Sequence, residues 1–420
     1  MRTLFYAAAI AGLAVSPAIA DTMPSAGTVT CGEFVNLDAE TQIGVAEKIE
    51  PKSVEAKLAT DKAVGATASS GKAGTVDPQM TEKEKVAALV AACDGVMDKS
   101  EVFLDQLVMP RAVAVVNEGL LIAEPPVLWL CPDIKGKTRC ENKRKVADYA
   151  VDHAEISMEH LENGLMPALD NWLYNAKSSR RFRFVEGELL EEATLARGQW
   201  GIAQDNQGRL YYNTNSNYLS GDYFPAASRR GSSQGLGEAL IKNEEVFSIR
   251  VNPGVNRAYV DGILREDGRL KSPTAVSGLA VYRGGQFPKP FWNDVFVPEP
   301  AANVVVQLRA SLDDFAVQAQ HITYPDEQWG QREFLASTDE RFRPVDAKVG
   351  PDGALYIIDM YRGIIQHKAF LTDELREQIL ERGLDKPLGQ GRIWRIVSTQ
   401  APTLAAPDLS EASAPDLVAA

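Results

Sequence analysis

The apolar positions of this chain change their period once. After Asp98 they fall into short runs bounded by Gly, Pro, Asn and Asp, the pattern of β-strands joined by tight turns. "AVAVVNEGLLIAEPP", "GIAQDNQGRLYYNTN", "GLAVYRGGQFPKPFWNDVFVPEP" and "AKVGPDGALYIIDMYRG" each predict strand, turn, strand. A submotif recurs as Trp172-Leu173-Tyr174, Arg209-Leu210-Tyr211 and Ala354-Leu355-Tyr356, each after a turn rich in Asp, Asn or Gly. The first two copies lie 37 residues apart, close to the ~40 to 50 residues of a propeller blade. A β-sandwich is the competing architecture, but repeated copies of one turn-strand unit favour a radial array. Insertions such as "SRRGSSQGLGEALIKNEE" are expected as loops on one face.

Ahead of Asp98 the spacing is helical. "CGEFVNLDAETQIGVAEKI" carries Phe34, Val35, Ile43, Val45, Ala46 and Ile49 at helical spacing, and "MTEKEKVAALVAAC" sets Val86, Leu89, Val90 and Cys93 on one stripe. Thr81 and Glu84 form a capping box for that second helix. The stretch between them, "LATDKAVGATASSGKAGTVDP", is small, polar and aperiodic, a flexible loop. Before all of this, "MRTLFYAAAIAGLAVSPAIA" has one Arg2, an apolar run and the small-x-small end Ala18-Ile19-Ala20. Residues 1–20 are thus expected to be a secretory signal peptide, and the mature protein to reside in a bacterial periplasm. No later run has the ~20 apolar residues that a transmembrane helix needs.

Composition sharpens the division. From Asp21 to Asp98 there is no Arg, His, Trp or Tyr, and all six tryptophans come later. A net charge of -13, from 57 acidic and 44 basic residues, argues against nucleic acid and anionic membrane surfaces as partners. In an oxidising compartment the four cysteines read as disulfide candidates rather than as a metal site. Three pairings are possible. The change of composition favours the local ones, Cys31 with Cys93 and Cys131 with Cys140 across a short hairpin.

Two resemblances follow from these motifs. The segment 28–93, with "TCGEFVNLDAETQIGVAEKI" and a second helix ending in "VAAC", resembles the HdeA-type periplasmic acid-stress chaperones. That resemblance implies one disulfide and apolar surface exposed when acid protonates carboxylates; a disulfide-bonded spacer is the plain alternative. From about Asp94 onward, "RGQWGIAQDNQGRLYYNTNS", "NPGVNRAYVDGILREDGRL", "EFLASTDERFRPVDAKVGPDGALYIIDMYRGIIQH" and "QILERGLDKPLGQGRIWRI" resemble the membrane-bound dehydrogenases of the glucose/sorbosone dehydrogenase-like propeller class. That class implies pyrroloquinoline quinone (PQQ) with calcium, oxidation of a sugar or alcohol, and transfer of electrons to a separate cytochrome c or other acceptor.

The second resemblance assigns site residues. In the class, the catalytic histidine precedes a blade turn with Leu five and Asp ten residues on; here His160 is followed by Leu165 and Asp170. A base of near-neutral pKa would take the substrate's hydroxyl proton as hydride leaves for the quinone. Arg197 in "RGQWGI" resembles a cofactor-contacting arginine, although Gly198 stands where that motif has Asn. Arg343 in "FRPVDAKVGPDG" would meet a second cofactor carboxylate, and Trp200 would stack on the cofactor plane. The bland readings are a loop histidine, two structural salt-bridge arginines and a blade-core tryptophan. Arg362 and His367 in "YRGIIQH" would serve blade closure as readily as chemistry, and His153 and His321, which carry no motif, read as surface residues.

No protein metal ligands are expected. "CDGVMDKS" keeps Asp94, Gly95 and Asp98 of the class's calcium loop but lacks its first half, and in "CPDIKGKTRCEN" Lys135 and Lys137 replace ligand positions. The expected architecture is mainly β: residues 21–93 a helical module, 94–398 an incomplete six-bladed-type β-propeller lacking its first blade, and 399–420 a tail that resembles the start of a truncated helical-repeat region. The leading expectation is a periplasmic PQQ-type oxidoreductase. The alternative is a non-enzymatic chaperone or binding protein on a propeller remnant.

Overall fold

The computed structural model describes residues 101–149, 161–225, 241, 244–251, 261–313, 316–366, 371–386 and 388–398. The signal peptide, the helical module with Cys31 and Cys93, the "CDGVMDKS" loop, His153, His160, His367 and the tail lie outside the described residues. Met1–Val102 and Phe103–Ala420 are separate compact units, and the architecture that follows is that of the second.

Five antiparallel sheets succeed one another, each a meander of neighbours in sequence. Blade 1 holds β1 (Ala112–Val116), β2 (Gly119–Glu124), β3 (Val127–Pro132) and β4 (Arg144–Asp148). Blade 2 holds β5 (Asn163–Pro167), β6 (Leu173–Ala176), β7 (Arg180–Val185) and β8 (Glu188–Ala193). Blade 3 holds β9 (Ile202–Gln204), β10 (Leu210–Thr214) and β11 (Asn217–Gly221). Blade 4 is built from β12 (Ala280–Val281), β13 (Asp294–Glu299), β14 (Val304–Asp313) and β15 (Ala316–Ile322). A small ribbon, β16 (Tyr324–Asp326) with β17 (Gly330–Arg332), follows, and β18 (Leu335–Ala336) adds to β14. Blade 5 holds β19 (Pro344–Val349), β20 (Leu355–Asp359) and β21 (Arg392–Ile396). Helix α1 (Asp373–Glu381) lies between β20 and β21; Thr372 caps it by accepting from Leu375 N, and it buries Leu375 and Ile379 against Leu384. Among the described residues no helix is long and apolar enough to cross a membrane.

The fold is a β-propeller with five blades among the described residues. Apolar residues on alternate strand positions make the seams between blades. Ala114, Leu121, Leu128 and Leu130 meet Leu165, Leu173 and Phe182 between blades 1 and 2. Trp172 and Tyr174 meet Ile202 and Leu210 between blades 2 and 3. Ala203, Tyr211 and Leu219 meet Val281, Val295 and Val297 in the largest seam, and Phe296 and Val305 meet Ala347, Leu355 and Ile357 in the fourth. No seam among the described residues joins blade 5 to blade 1: Val113 and Val115 of β1 are 62% and 70% exposed, and Ile393 of β21 is 63% exposed. The described residues thus trace an arc of five blades, and the sixth of the expected type is not among them.

The recurring submotif marks one turn used three times. In each copy an amide folds the hairpin back on itself: Ala168 N donates to Trp172 O, Asp205 N to Arg209 O and Gly350 N to Ala354 O. The fourth residue of each turn, Asn171, Gly208 or Gly353, has φ of 64°, 84° or 75°, the left-handed region that Gly and Asn tolerate. A nearby aspartate serves each turn twice. Asp170, Asp205 and Asp352 accept from backbone amides of the turn, and each also accepts from the hydroxyl of the tyrosine that ends the submotif, Tyr174, Tyr211 or Tyr356. The loop "CPDIKGKTRCEN" between β3 and β4 is closed by a Cys131–Cys140 disulfide, with Cα atoms 5.6 Å apart.

Candidate functional site in the central cavity

The first strand of every blade lines one central cavity of about 1430 Å³. β1 contributes Ala112 and Val113, β5 Asn163 to Pro167, β9 Ile202 to Gln204, β12 Ala280 and Val281, and β19 Val345, Asp346, Lys348 and Val349. An arc of blades converges at its axis, so these strands reach the same space although they lie far apart in sequence.

Most polar groups on the wall are committed to the scaffold. Asn163 donates to Leu161 O and Gln199 O and accepts from Gly201 N, stitching β5 to the segment that enters β9. Gln204 accepts from Leu169 N and donates to Gly208 O. Three cations and one carboxylate remain. Arg111, just ahead of β1, has a buried Nε without a hydrogen-bond partner, and burial lowers its pKa. Arg283, just after β12, is exposed and has no hydrogen-bond or ion-pair partner among the described residues. Lys348 pairs with Asp346, Nζ to Oδ1 at 2.8 Å.

The residues singled out in sequence take different places. Trp200 lines the cavity, with its Nε1 donating to Asn215 Oδ1 on the same wall. Arg197 does not reach the cavity. It is buried, with Nε and one terminal nitrogen donating to Asp222 and the other to Thr194 Oγ1 and Leu195 O. Arg343 is fully buried; its guanidinium donates to the carbonyls of Arg362, Pro300 and Gly363 at 3.1, 2.7 and 2.9 Å. Burial, helped by the Arg250 cation, holds its pKa down to about 9. Both guanidiniums are thus spent inside the scaffold, Arg197 three residues before Trp200 and Arg343 at the entrance to β19. His321 is not a surface residue: its ring packs between Tyr218 and Phe247, with Nε2 2.8 Å from the buried Glu333. Arg283 and Lys348 lie inside stretches that the sequence marks only as strand and turn, Arg111 lies just ahead of another, and the one signal of a site at any of them is a cation beside the first strand of a blade.

A family model described as a domain of unknown function, DUF7133, matches residues 70–400. The chain belongs to that family. The DUF7133 match covers all five blades and begins at residue 70, inside the segment read as a helical module. No curated protein of known sequence matches the chain. Among solved structures it is similar to a luciferin-regenerating enzyme, at 8% identity over 72% of this chain and 81% of that one, with a TM-score of 0.38. It is also similar to an oxidoreductase titled glucose dehydrogenase from Thermus thermophilus, at 16% identity over 70% and 98% of the two chains, TM-score 0.33. A third is the PQQ-bound aldose sugar dehydrogenase of Streptomyces coelicolor, at 12% identity over 62% and 91%, TM-score 0.25. At such scores the propeller assignment of this DUF7133 chain rests on its own blades and seams.

Proposed function

We propose that this chain is a periplasmic oxidoreductase of the PQQ-dependent type that oxidises a sugar or alcohol, with its cofactor in the central cavity. The observation that carries the reading is the pair of unpartnered guanidiniums, Arg111 and Arg283, on a cavity wall shared with Lys348, in a chain of net charge -13. An acidic protein that gathers uncompensated cations on a concave wall is suited to an anion.

PQQ matches that donor set. Its carboxylates suit the planar forks of Arg111 and Arg283, and Trp200 offers an aromatic ring on the same wall. When bound, the quinone supplies the acceptor for the substrate's hydride. Arg197 and Arg343 enter this reading as supports of the wall, through Trp200 and β19. His160, three residues ahead of β5, is the base of the proposal. Calcium does not match the described residues. Asp346 is the only carboxylate among those lining the cavity, and no group of three or more His, Cys, Asp and Glu among the described residues is placed to hold a metal. No step is assigned to it. A separate cytochrome c or similar carrier takes the electrons, and residues 1–20 direct the chain to the periplasm.

The test is a calorimetric titration of PQQ, without and with calcium, into the purified mature chain, followed by dye-linked oxidation of a sugar panel. The reading expects saturable binding, weakened by at least about tenfold in an Arg111→Ala/Arg283→Ala double variant, and binding without turnover in His160→Ala. A folded chain that binds no PQQ overturns it.

A further inference from the structure

The cavity's one described carboxylate sits where the fold has cleared space for it. Asp346 of β19 lies against Gly278: a β-carbon at Gly278 would stand 2.2 Å from Asp346 Oδ1. Behind it, a β-carbon at Gly201 would stand 2.6 Å from Gly278 Cα, and Gly201 has a φ of 72°. Three segments from blades 3, 4 and 5 therefore meet with two side chains missing and one carboxylate in the resulting space. A backbone bond, Gly278 N to Val345 O, ties the second segment to the third, and Gly201 N donates to the Asn163 side chain of blade 2. Trp200, which also lines the cavity, is the immediate neighbour of Gly201.

The carboxylate itself is oriented. Asp346 Oδ1 accepts from Ala347 N at 2.9 Å and from Lys348 Nζ at 2.8 Å. Oδ2 has no partner among the described residues, and Lys348, 57% exposed, keeps donors to spare. One open acceptor and one set of open donors thus stand side by side at the cavity wall. A vicinal diol matches them: one hydroxyl donates to Oδ2 while its neighbour accepts from Nζ. The pair also discriminates by charge. An anion at this spot meets the Asp346 carboxylate and a cation meets the Lys348 ammonium, so uncharged hydroxyls are preferred.

We infer that Asp346 and Lys348 form a diol-binding subsite that selects a neutral polyhydroxylated substrate, with Arg111 and Arg283 left to the anionic cofactor. This inference rests on the cavity reading above and deepens it.

The experiment follows the tryptophan fluorescence of the full mature chain during two separate titrations, one with PQQ and one with D-glucose, D-gluconate or glucosamine on the PQQ-loaded chain. Wild type is expected to bind glucose more tightly than either charged analogue. Asp346→Asn keeps the backbone bond to Ala347 but lowers the demand for a hydroxyl donor. It should weaken glucose binding at least about tenfold, narrow the preference against gluconate, and leave PQQ affinity within about twofold. Lys348→Met is the second variant and should weaken glucose in the same way without disturbing the inner strands. Equal glucose affinity in wild type and both variants, or a wild type that prefers gluconate, overturns the inference while PQQ binding keeps the cofactor reading standing. Glucose binding that depends on Asp346 in a chain that does not bind PQQ supports the subsite and sinks the cofactor reading. A chain that binds neither overturns both.

Discussion

Arg197 and Arg343 are both buried cations, yet their partners differ in kind. Arg197 is neutralised by Asp222, whereas Arg343 is held by three neutral carbonyls. Removing one member of a buried ion pair strands the other, a cost of about 3 to 5 kcal/mol. Arg197→Met should lower the unfolding free energy read from urea melts by that amount, and adding Asp222→Leu should recover a large part; an unchanged value in Arg197→Met would show that the pair is not structural. The sequence singles out both arginines through motifs that resemble those of the dehydrogenase class. It cannot tell a guanidinium aimed at a ligand from one aimed at Asp222, since the partner lies 25 residues away, just past β11. Glu244 shows a different residue-scale effect. Desolvation raises its pKa from 4.5 to about 7, against the hydrogen bond it accepts from Tyr218 N. The folded state therefore favours its protonated form. The cost of ionising it is absent below pH 4.5, accumulates as pH rises towards 7, and is fully present above. Glu244→Gln should leave stability unchanged at pH 4 and raise it at pH 8 by about 1 kcal/mol, a figure reduced for the part of the side chain that water still screens. Urea melts at the two pH values check the sign.

At the scale of elements, the turn between the first and second strands of a blade was legible in sequence because its chemistry is local. A left-handed residue must stand at one position, which selects Asn171, Gly208 and Gly353, and an aspartate a few residues from the tyrosine satisfies the turn's amides. The third strand of the blade completes two of these units from a distance: Arg181 is 3.5 Å from Asp170 and Arg395 is 2.7 Å from Asp352, each cross-strand from the submotif tyrosine. That partner is invisible to a local reading, because only the strand register brings it into place. Asp352→Ala removes the acceptor of Ala354 N, the Arg395 ion pair and the Tyr356 hydroxyl partner together. It should cost about 2 to 3 kcal/mol, more than Tyr356→Phe, which loses one hydrogen bond worth about 1 kcal/mol. Asn171→Gly should be close to neutral in the same melts, since φ there already suits glycine.

For the molecule as a whole, four apolar seams among the described residues join five blades, each to its neighbour in chain order. Stability in such an array is close to a sum of blade and seam contributions, as in other repeat folds. Strands β13 and β14, buried along the seams on both sides of blade 4, should exchange their amide protons last. β1, with Val113 and Val115 exposed, and β21, with Ile393 exposed, should exchange first, and hydrogen exchange read by mass spectrometry would resolve the order. The blade count was harder to read than the turn, because insertions of unequal length separate the copies and the seams are long-range. The cavity cations were harder still. Arg111, Arg283 and Lys348 come from segments about 170 and 65 residues apart along the chain, and only the convergence of first strands on one axis makes them neighbours.

That no seam among the described residues joins blades 5 and 1 gives the cavity one more property. Arg111 belongs to the first blade and Lys348 to the last, so a cofactor and substrate pair that engages both would act as a clasp across the arc. Its binding energy would then enter the melting of the entire array rather than of one loop, with about 2.7 kcal/mol added at a free concentration one hundred times the dissociation constant. The terminal blades, the first to open when the clasp is missing, would gain the most from it.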